Sequence, residues 1–230
     1  MLSTLSNSNP VDGVLFDLDG LLLNTELIYT RVSQEIVSRY GKTFDWSVKA
    51  NMIGRPAIDS SRHLVETLGI PMSPEEYLEE REELLRKYLP ECNPLSGAER
   101  IVRHFHQHKI PIAIATSSSL ELYKIKVQRH HSWIDLFEVV ITSDDPSVRR
   151  GKPSPDIFLI AASKLGIKAS RTLVFEDAPS GLAAGKAAGM RVIAIPDPNM
   201  DKSRYQGAEQ ILDGLNDFDP TRFGLPDYNV

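Results

Sequence analysis

Residues 14–26 read VLFDLDGLLLNTE. The Val, Leu and Phe content of this run marks a buried strand of a parallel sheet. Two acids, Asp17 and Asp19, stand inside it. Burial gives no reason for them, because a carboxylate taken out of water is costly unless it is paired or bound to a metal. The stretch therefore reads as a strand whose end carries an acid pair with a task of its own.

Working outward, four more runs share the pattern: IPIAIAT (110–116), EVVITS (138–143), TLVFED (172–177) and RVIAIP (191–196). Helical patterns lie between them. In PDIFLIAASKLG (155–166), Ser154 is placed to cap the N-terminus, Pro155 fits the first helical position and Gly166 suits the exit. Strands alternating with helices predict an α/β fold, with a parallel sheet covered on both faces. One region breaks the alternation. TELIYTRVSQEIVSRYG (25–41), SSRHLVETLG (60–69) and PEEYLEEREELLRKYL (74–89) have helical periodicity and no strand between them. The expected organisation is a core of residues 1–23 and 91–230, with an all-helical subdomain of residues 24–90 inserted after the first strand. The acidic run around Arg81 reads as a solvated helix face.

Composition narrows the function. The chain has 230 residues, 41% of them hydrophobic, with 26 basic and 31 acidic residues for a formal charge of -5. That length supports a substantial core. No basic field exists to attract nucleic acid or an anionic membrane surface, and no apolar run of about 18 residues is present to span a bilayer. The single cysteine, Cys92, excludes an intrachain disulfide, reads as structural and fits a reducing compartment such as the cytoplasm. The start, MLSTLSNSNP, resembles neither a signal nor a transit peptide and is expected to form a short disordered tail.

In open parallel sheets, ligands bind beyond the carboxyl ends of the strands. Those ends carry Asp17 and Asp19, then Thr116 and Ser117, then Glu176 and Asp177. Lys152, in GKPSPD (151–156), lies in a loop able to reach the same edge. Four carboxylates drawn together repel unless a hard cation intervenes, and an all-oxygen set favours Mg2+. Thr116 and Ser117 precede a helix, so their hydroxyls and its first free amides offer an anion cradle; Lys152 adds a charge suited to phosphate. Together these groups describe a phosphoryl site. GLAAGK (181–186) lacks the spacing and the hydroxyl residue of a phosphate loop and suits close helix packing instead. His104, His106 and His108 read as a surface cluster without a third ligand. His130 and His131 read as a helix end.

DLDGLLLNTE (17–26), ATSS (115–118), GKPSPD (151–156) and VFEDAPSG (174–181) resemble the four motifs of the haloacid dehalogenase-like phosphatase superfamily, in that family's order. The likeness covers nearly the whole chain. RYGKTFDWSVKANMIGR (39–55), AIPDPNMDKS (194–203) and FGLPDY (223–228) are similar to the subgroup of pseudouridine 5'-phosphatases and glycerol 3-phosphatases. The resemblance implies a Rossmann-like core with a small helical cap. It implies Asp17 as nucleophile forming an aspartyl-phosphate and Asp19 as general acid and base. Asp17, the Asp19 carbonyl and Asp177 would hold Mg2+, with Glu176 helping directly or through water. Asn24 stands where the family often has Asp, which points to altered hinge hydrogen bonding. Arg55, at a boundary in MIGRP (52–56), is the candidate for reading the leaving group. The expected protein is a monomeric, cytoplasmic Mg2+-dependent phosphatase of a small phosphorylated metabolite. Pseudouridine 5'-phosphate is the first substrate to try and glycerol 3-phosphate the next. The competing readings are a sugar phosphomutase of the same superfamily and a non-catalytic phosphate-ligand binding protein.

Overall fold

The computed structural model describes residues 10–53 and 55–228. The expected tail, residues 1–9, lies outside them. In chain order the elements are β1 (Gly13–Phe16), α1 (Thr25–Ser38), α2 (Trp46–Lys49), α3 (Ala57–Leu68), α4 (Pro74–Tyr88), α5 (Ala98–Gln107), β2 (Ile112–Ala115), α6 (Leu120–Val127), α7 (His131–Ile134), β3 (Val139–Ile141), α8 (Asp156–Lys164), β4 (Thr172–Glu176), α9 (Pro179–Ala187), β5 (Arg191–Ala194) and β6 (Gln210–Ile211). The six strands form one parallel sheet of order β3-β2-β1-β4-β5-β6. The order reverses at β1, so the crevice for a ligand opens at the carboxyl ends of β1, β2 and β4.

β1 shows why the sheet needs cover on both faces. Val14 pairs with Ile112 on one side and Leu173 on the other, and all four β1 residues are buried. Alternation sends Val14 and Phe16 to one face and Leu15 to the other. On the first face Phe16 stacks on Phe175, with ring centroids 5.0 Å apart, and meets Phe137 edge-on. On the second, Leu15 packs with Val174, Ile157, Phe158, Ala161 and Leu182 of α8, α9 and β4. The sixth strand is two residues long, too short for its periodicity to register in the sequence.

The four helices α1 to α4 lie between β1 and the rest of the sheet in sequence and form the inserted helical cap. Tyr77 of α4 donates to Ser33 of α1 at 2.8 Å in the buried interior of this insert. α4 begins with a full capping box, Ser73 with Glu76, and carries Pro74 in its first turn. The outgoing and returning chain segments run side by side: Leu23 bridges Pro94, Asn24 N donates to Asn93 O at 2.8 Å, and Leu95 N donates to Leu22 O at 2.9 Å. Asn24 occupies the cap position of α1 without a side-chain bond to the helix.

Three local expectations require correction. α8 starts at Asp156, so Pro155 is its cap residue; the Ser154 hydroxyl donates to Asp156 Oδ1 at 2.6 Å instead of accepting from an amide. Gly166 does take the left-handed exit, φ +71°. His104 is buried, its Nε2 2.9 Å from Pro226 O and its ring against Tyr228, so only part of the histidine cluster faces water. Arg81 is half-buried, with its guanidinium 5.1 Å from the centroid of the Tyr29 ring, because α4 turns this residue toward α1 and away from solvent. No helix among the described residues is long and apolar enough to cross a membrane.

Candidate active site

Asp17 continues the line of β1, and its amide donates to Phe175 O at 3.0 Å, so the neighbouring strand holds its backbone. The chain then turns sharply. Leu22 and Leu23 both donate to Leu18 O, and Gly20 adopts φ +78°. A Cβ on Gly20 would lie 2.4 Å from Asp177 Oδ2, so glycine here serves both the left-handed backbone and the close approach of Asp177. Glu176 ends β4, and α9 begins at Pro179. Gly181 of α9 leaves room for the Glu176 carboxylate: a Cβ there would stand 1.8 Å from Glu176 Oε1. The glycines of GLAAGK therefore serve packing, as Gly185 does against Val192.

Lys152 joins these acids. It is almost fully buried, and its Nζ donates to Asp17 Oδ1 at 2.5 Å, to Glu176 Oε1 at 2.5 Å and to Ala115 O at 2.9 Å. Glu176 Oε2 accepts from the amides of Asp177 and Ala178. Both Glu176 oxygens are thus engaged within the protein. Carboxylate oxygens of Asp17, Glu176 and Asp177 lie within 4.8 Å of one another.

The electrostatics follow from this crowding. Burial, then the neighbouring Glu176 and Asp19, push the Asp17 carboxyl up to about 7 against the opposing pull of Lys152. Burial, Asp17, Glu176 and Glu26 raise Asp177 well above the usual carboxylate range. Asp19 behaves oppositely. Burial disfavours its charge, but the Lys126 ammonium and hydrogen bonds from Lys126 and Ser118 outweigh that and hold it below the ordinary value. Two ammonium groups, Lys126 and Lys152, face four carboxylates. The surplus negative charge and the all-oxygen donor set of Asp17, Asp177 and Glu176 fit one divalent hard cation.

Asp17, Asp19, Lys152, Glu176, Asp177, Ser117 and Arg55 all line one cavity of about 670 Å³ between sheet and cap. Thr116 is brought to the same edge but faces inward. It has no exposed surface, and its hydroxyl donates to Asp19 Oδ2 at 3.3 Å while accepting from the Ser118 amide. α6 starts at Leu120, beyond Ser117, and Asp144 and Ser119 accept from its Leu122 and Leu120 amides, Asp144 taking Leu120 and Ser119 taking Leu122. The anion cradle expected from the free amides of this helix is accordingly narrower than the sequence indicates, and serine hydroxyls line the wall instead.

Several site residues escaped the sequence reading. Lys126, Ser118 and Tyr29 all contact Asp19. Lys49 reaches the cavity from α2 and pairs with Glu26 at 2.9 Å. Arg81 lines the cavity, with a buried Nε that has no hydrogen-bond partner. Their signal was positional: Lys126 lies four residues after Leu122 on one helical face, where an apolar residue is the default.

Comparisons with known proteins identify the family. The haloacid dehalogenase-like hydrolase family matches residues 14–195. The chain is 46% identical over 220 residues to (DL)-glycerol-3-phosphatase 2 of Arabidopsis thaliana, covering 94% of this chain and 92% of that one. It is 40% identical over 215 residues to a Drosophila melanogaster protein named "Probable pseudouridine-5'-phosphatase", covering 92% and 93%. The crystal structure of a conserved haloacid dehalogenase-like protein of Agrobacterium tumefaciens str. C58 superposes with a TM-score of 0.77 at 25% identity, covering 90% of this chain and 95% of that one. With its parallel sheet, helical insert and clustered acids, the chain belongs to the haloacid dehalogenase-like hydrolase family.

Proposed function

We propose that this protein is a Mg2+-dependent phosphatase of a small phosphate monoester. The observation that carries the reading is the joining of Asp17, Glu176 and Asp177 within 4.8 Å at the floor of a cavity roofed by the cap. Asp17 and Asp177 would hold the ion, with the Asp19 carbonyl, and Glu176 would assist while bonded to Lys152. A bound Mg2+ supplies charge neutralisation for the phosphoryl oxygens and the carboxylates.

The chain's own residues do the rest. An Asp17 oxygen attacks phosphorus in line, and the ester P–O bond breaks. Asp19 must carry a proton into this step, although Lys126 favours its charged form, and it gives that proton to the leaving alkoxide. Asp19 then takes a proton from water as the water oxygen attacks phosphorus and the P–O bond to Asp17 breaks, which releases inorganic phosphate and restores both carboxyl groups. Lys152 balances the charge on Asp17 and on the phosphoryl group. Ser117 binds phosphoryl oxygen, and Thr116 supports it by holding Asp19. Arg55, exposed at the cavity mouth, is the candidate for contact with the leaving group.

Identity to the glycerol phosphatase relative is higher than to the pseudouridine phosphatase relative, 46% against 40%, so glycerol 3-phosphate takes the first place in a substrate panel and pseudouridine 5'-phosphate the second. Because one chain supplies every residue of the site, a monomer suffices. The cytoplasm is the proposed compartment, supported by the single free thiol, Cys92. Inorganic phosphate release from polyol, nucleotide and sugar phosphates, with Mg2+ and in excess EDTA, tests the reading. Release from one or a few monoesters, abolished by EDTA, is the expected result; no release from any member overturns it.

A further inference from the structure

Lys126 is a lysine with no exposed surface, and it pairs with Asp19 where Lys152 pairs with Asp17 and Glu176. Its Nζ lies 2.6 Å from Asp19 Oδ1 and donates to Ser118 Oγ at 2.5 Å. The Ser118 hydroxyl in turn donates to the other Asp19 oxygen, Oδ2, at 2.8 Å. One ammonium thus fixes both oxygens of the carboxylate, one directly and one through a serine. Tyr29 of the cap helix α1 donates to Oδ1 at 3.0 Å, and the Lys126 ammonium sits 5.6 Å from the centroid of that tyrosine ring. The far end of α6 is tied down as well: Cys92 Sγ donates to Lys126 O at 3.4 Å, and His130 Nε2 lies 2.8 Å from Cys92 O. Lys126 therefore links the core to the segment on which the cap returns.

Stability alone does not account for the lysine. Buried ion pairs are often replaceable by apolar side chains of similar volume without loss, and the helical register of Lys126 is an apolar one. Among the described residues Asp19 is also the one carboxylate within ion-pair distance of Lys126. A carboxyl group that must meet a leaving oxygen and then a water needs one fixed orientation, since misplacement by a fraction of an ångström costs rate.

We propose that Lys126 is a positioning residue that aims Asp19 for its proton transfers. This rests on the reading of Asp19 as general acid and base, and the experiment separates the two claims. p-Nitrophenyl phosphate has a leaving group that departs without a proton, so its first step does not need Asp19. Hydrolysis of the phosphoenzyme does need it. Single-turnover reactions with enzyme in excess and Mg2+ present follow nitrophenolate release for the first step and inorganic phosphate release for the second.

For Lys126→Met, nitrophenolate release should stay within about threefold of wild type, while phosphate release slows by about a hundredfold, the lower end of what a positioned acid or base contributes. Phosphoenzyme should accumulate, and release of glycerol from glycerol 3-phosphate should slow with the phosphate. Equal slowing of both steps would make Lys126 a structural residue, and no slowing of either would remove it from the reaction; each result overturns the proposal. If Lys126→Met does not fold, Ser118→Ala, which breaks the relay to Oδ2 without burying an unpaired charge, is read by the same partition. Asp19→Asn is run alongside. Should it leave both steps intact, the role of Asp19 itself fails, whatever Lys126 does.

Discussion

Lys152 Nζ stands 2.5 Å from Asp17 Oδ1, although 135 residues separate the two in the chain. The ammonium also holds Glu176 and a main-chain carbonyl, so its three protons are all committed to groups that are themselves almost fully buried. Lys152→Ala should therefore lower kcat/KM by at least about a hundredfold, the scale of losing one electrostatic stabiliser of the transition state. Lys152→Arg should fall between the two, because a planar fork does not reproduce three convergent bonds from a compact ammonium. Steady-state kinetics of the three proteins decides it, and equal activity would remove Lys152 from the site.

Metal dependence follows from charge. With Asp17 held up near 7 by burial and by its acidic neighbours, protons and Mg2+ compete for the same oxygens. Mg2+ affinity should weaken as pH falls through about 7 and strengthen above it, since the deprotonated form is the ligand. Calorimetric titration with Mg2+ on either side of that value, in buffers of different ionisation enthalpy, reads both the affinity and the protons released. Full turnover in excess EDTA would contradict the metal assignment.

Gly181 and Gly185 stand one turn apart on α9 and predict different outcomes. Gly181→Ala drives a methyl into the Glu176 carboxylate, which must then leave Lys152 and the amides of Asp177 and Ala178. Activity should drop steeply, with a stability loss of about 1–3 kcal/mol. In Gly185→Ala the added methyl meets Val192 at 2.6 Å, in apolar packing away from the acids. Comparable destabilisation with activity largely kept is the expectation there. Thermal unfolding and kcat on the same samples separate the cases, and a fully active Gly181→Ala protein would show that the placement of Glu176 is dispensable.

The acid pair and the lysine loop were legible because each violates the local default. Asp17 and Asp19 interrupt an apolar run, and GKPSPD sets a lysine in a loop just ahead of a helix. Lys126 and Arg81 were not legible. Both sit in helices that carry other charged residues, and helical periodicity cannot tell a lysine pointing to water from one pointing at Asp19. Thr116 illustrates the same limit at a strand end: the strand delivers it to the site, but whether its hydroxyl faces the cavity or Asp19 depends on a residue 97 positions earlier in the chain. β6 was missed because two residues carry no period.

Substrate choice should reside in the cap. Arg55 lines the cavity mouth from an exposed position, and Arg81 lines its wall beside Tyr29. Arg55→Ala should change kcat/KM unevenly across glycerol 3-phosphate, pseudouridine 5'-phosphate and sugar phosphates, because only substrates that use the contact lose transition-state binding. A uniform change across the panel would leave discrimination to the wall residues, with Arg81→Ala the next variant to measure on the same panel.

The central claim is that Asp17 carries the phosphoryl group. Acid quenching during turnover, followed by peptide mass analysis, should find one phosphoryl group on the peptide containing Asp17, removable by hydroxylamine as an acyl phosphate is. The isosteric Asp17→Asn protein, folded as judged by its thermal unfolding, should show neither that adduct nor measurable turnover. Turnover by Asp17→Asn, or a phosphoryl group found on another residue, would contradict the account.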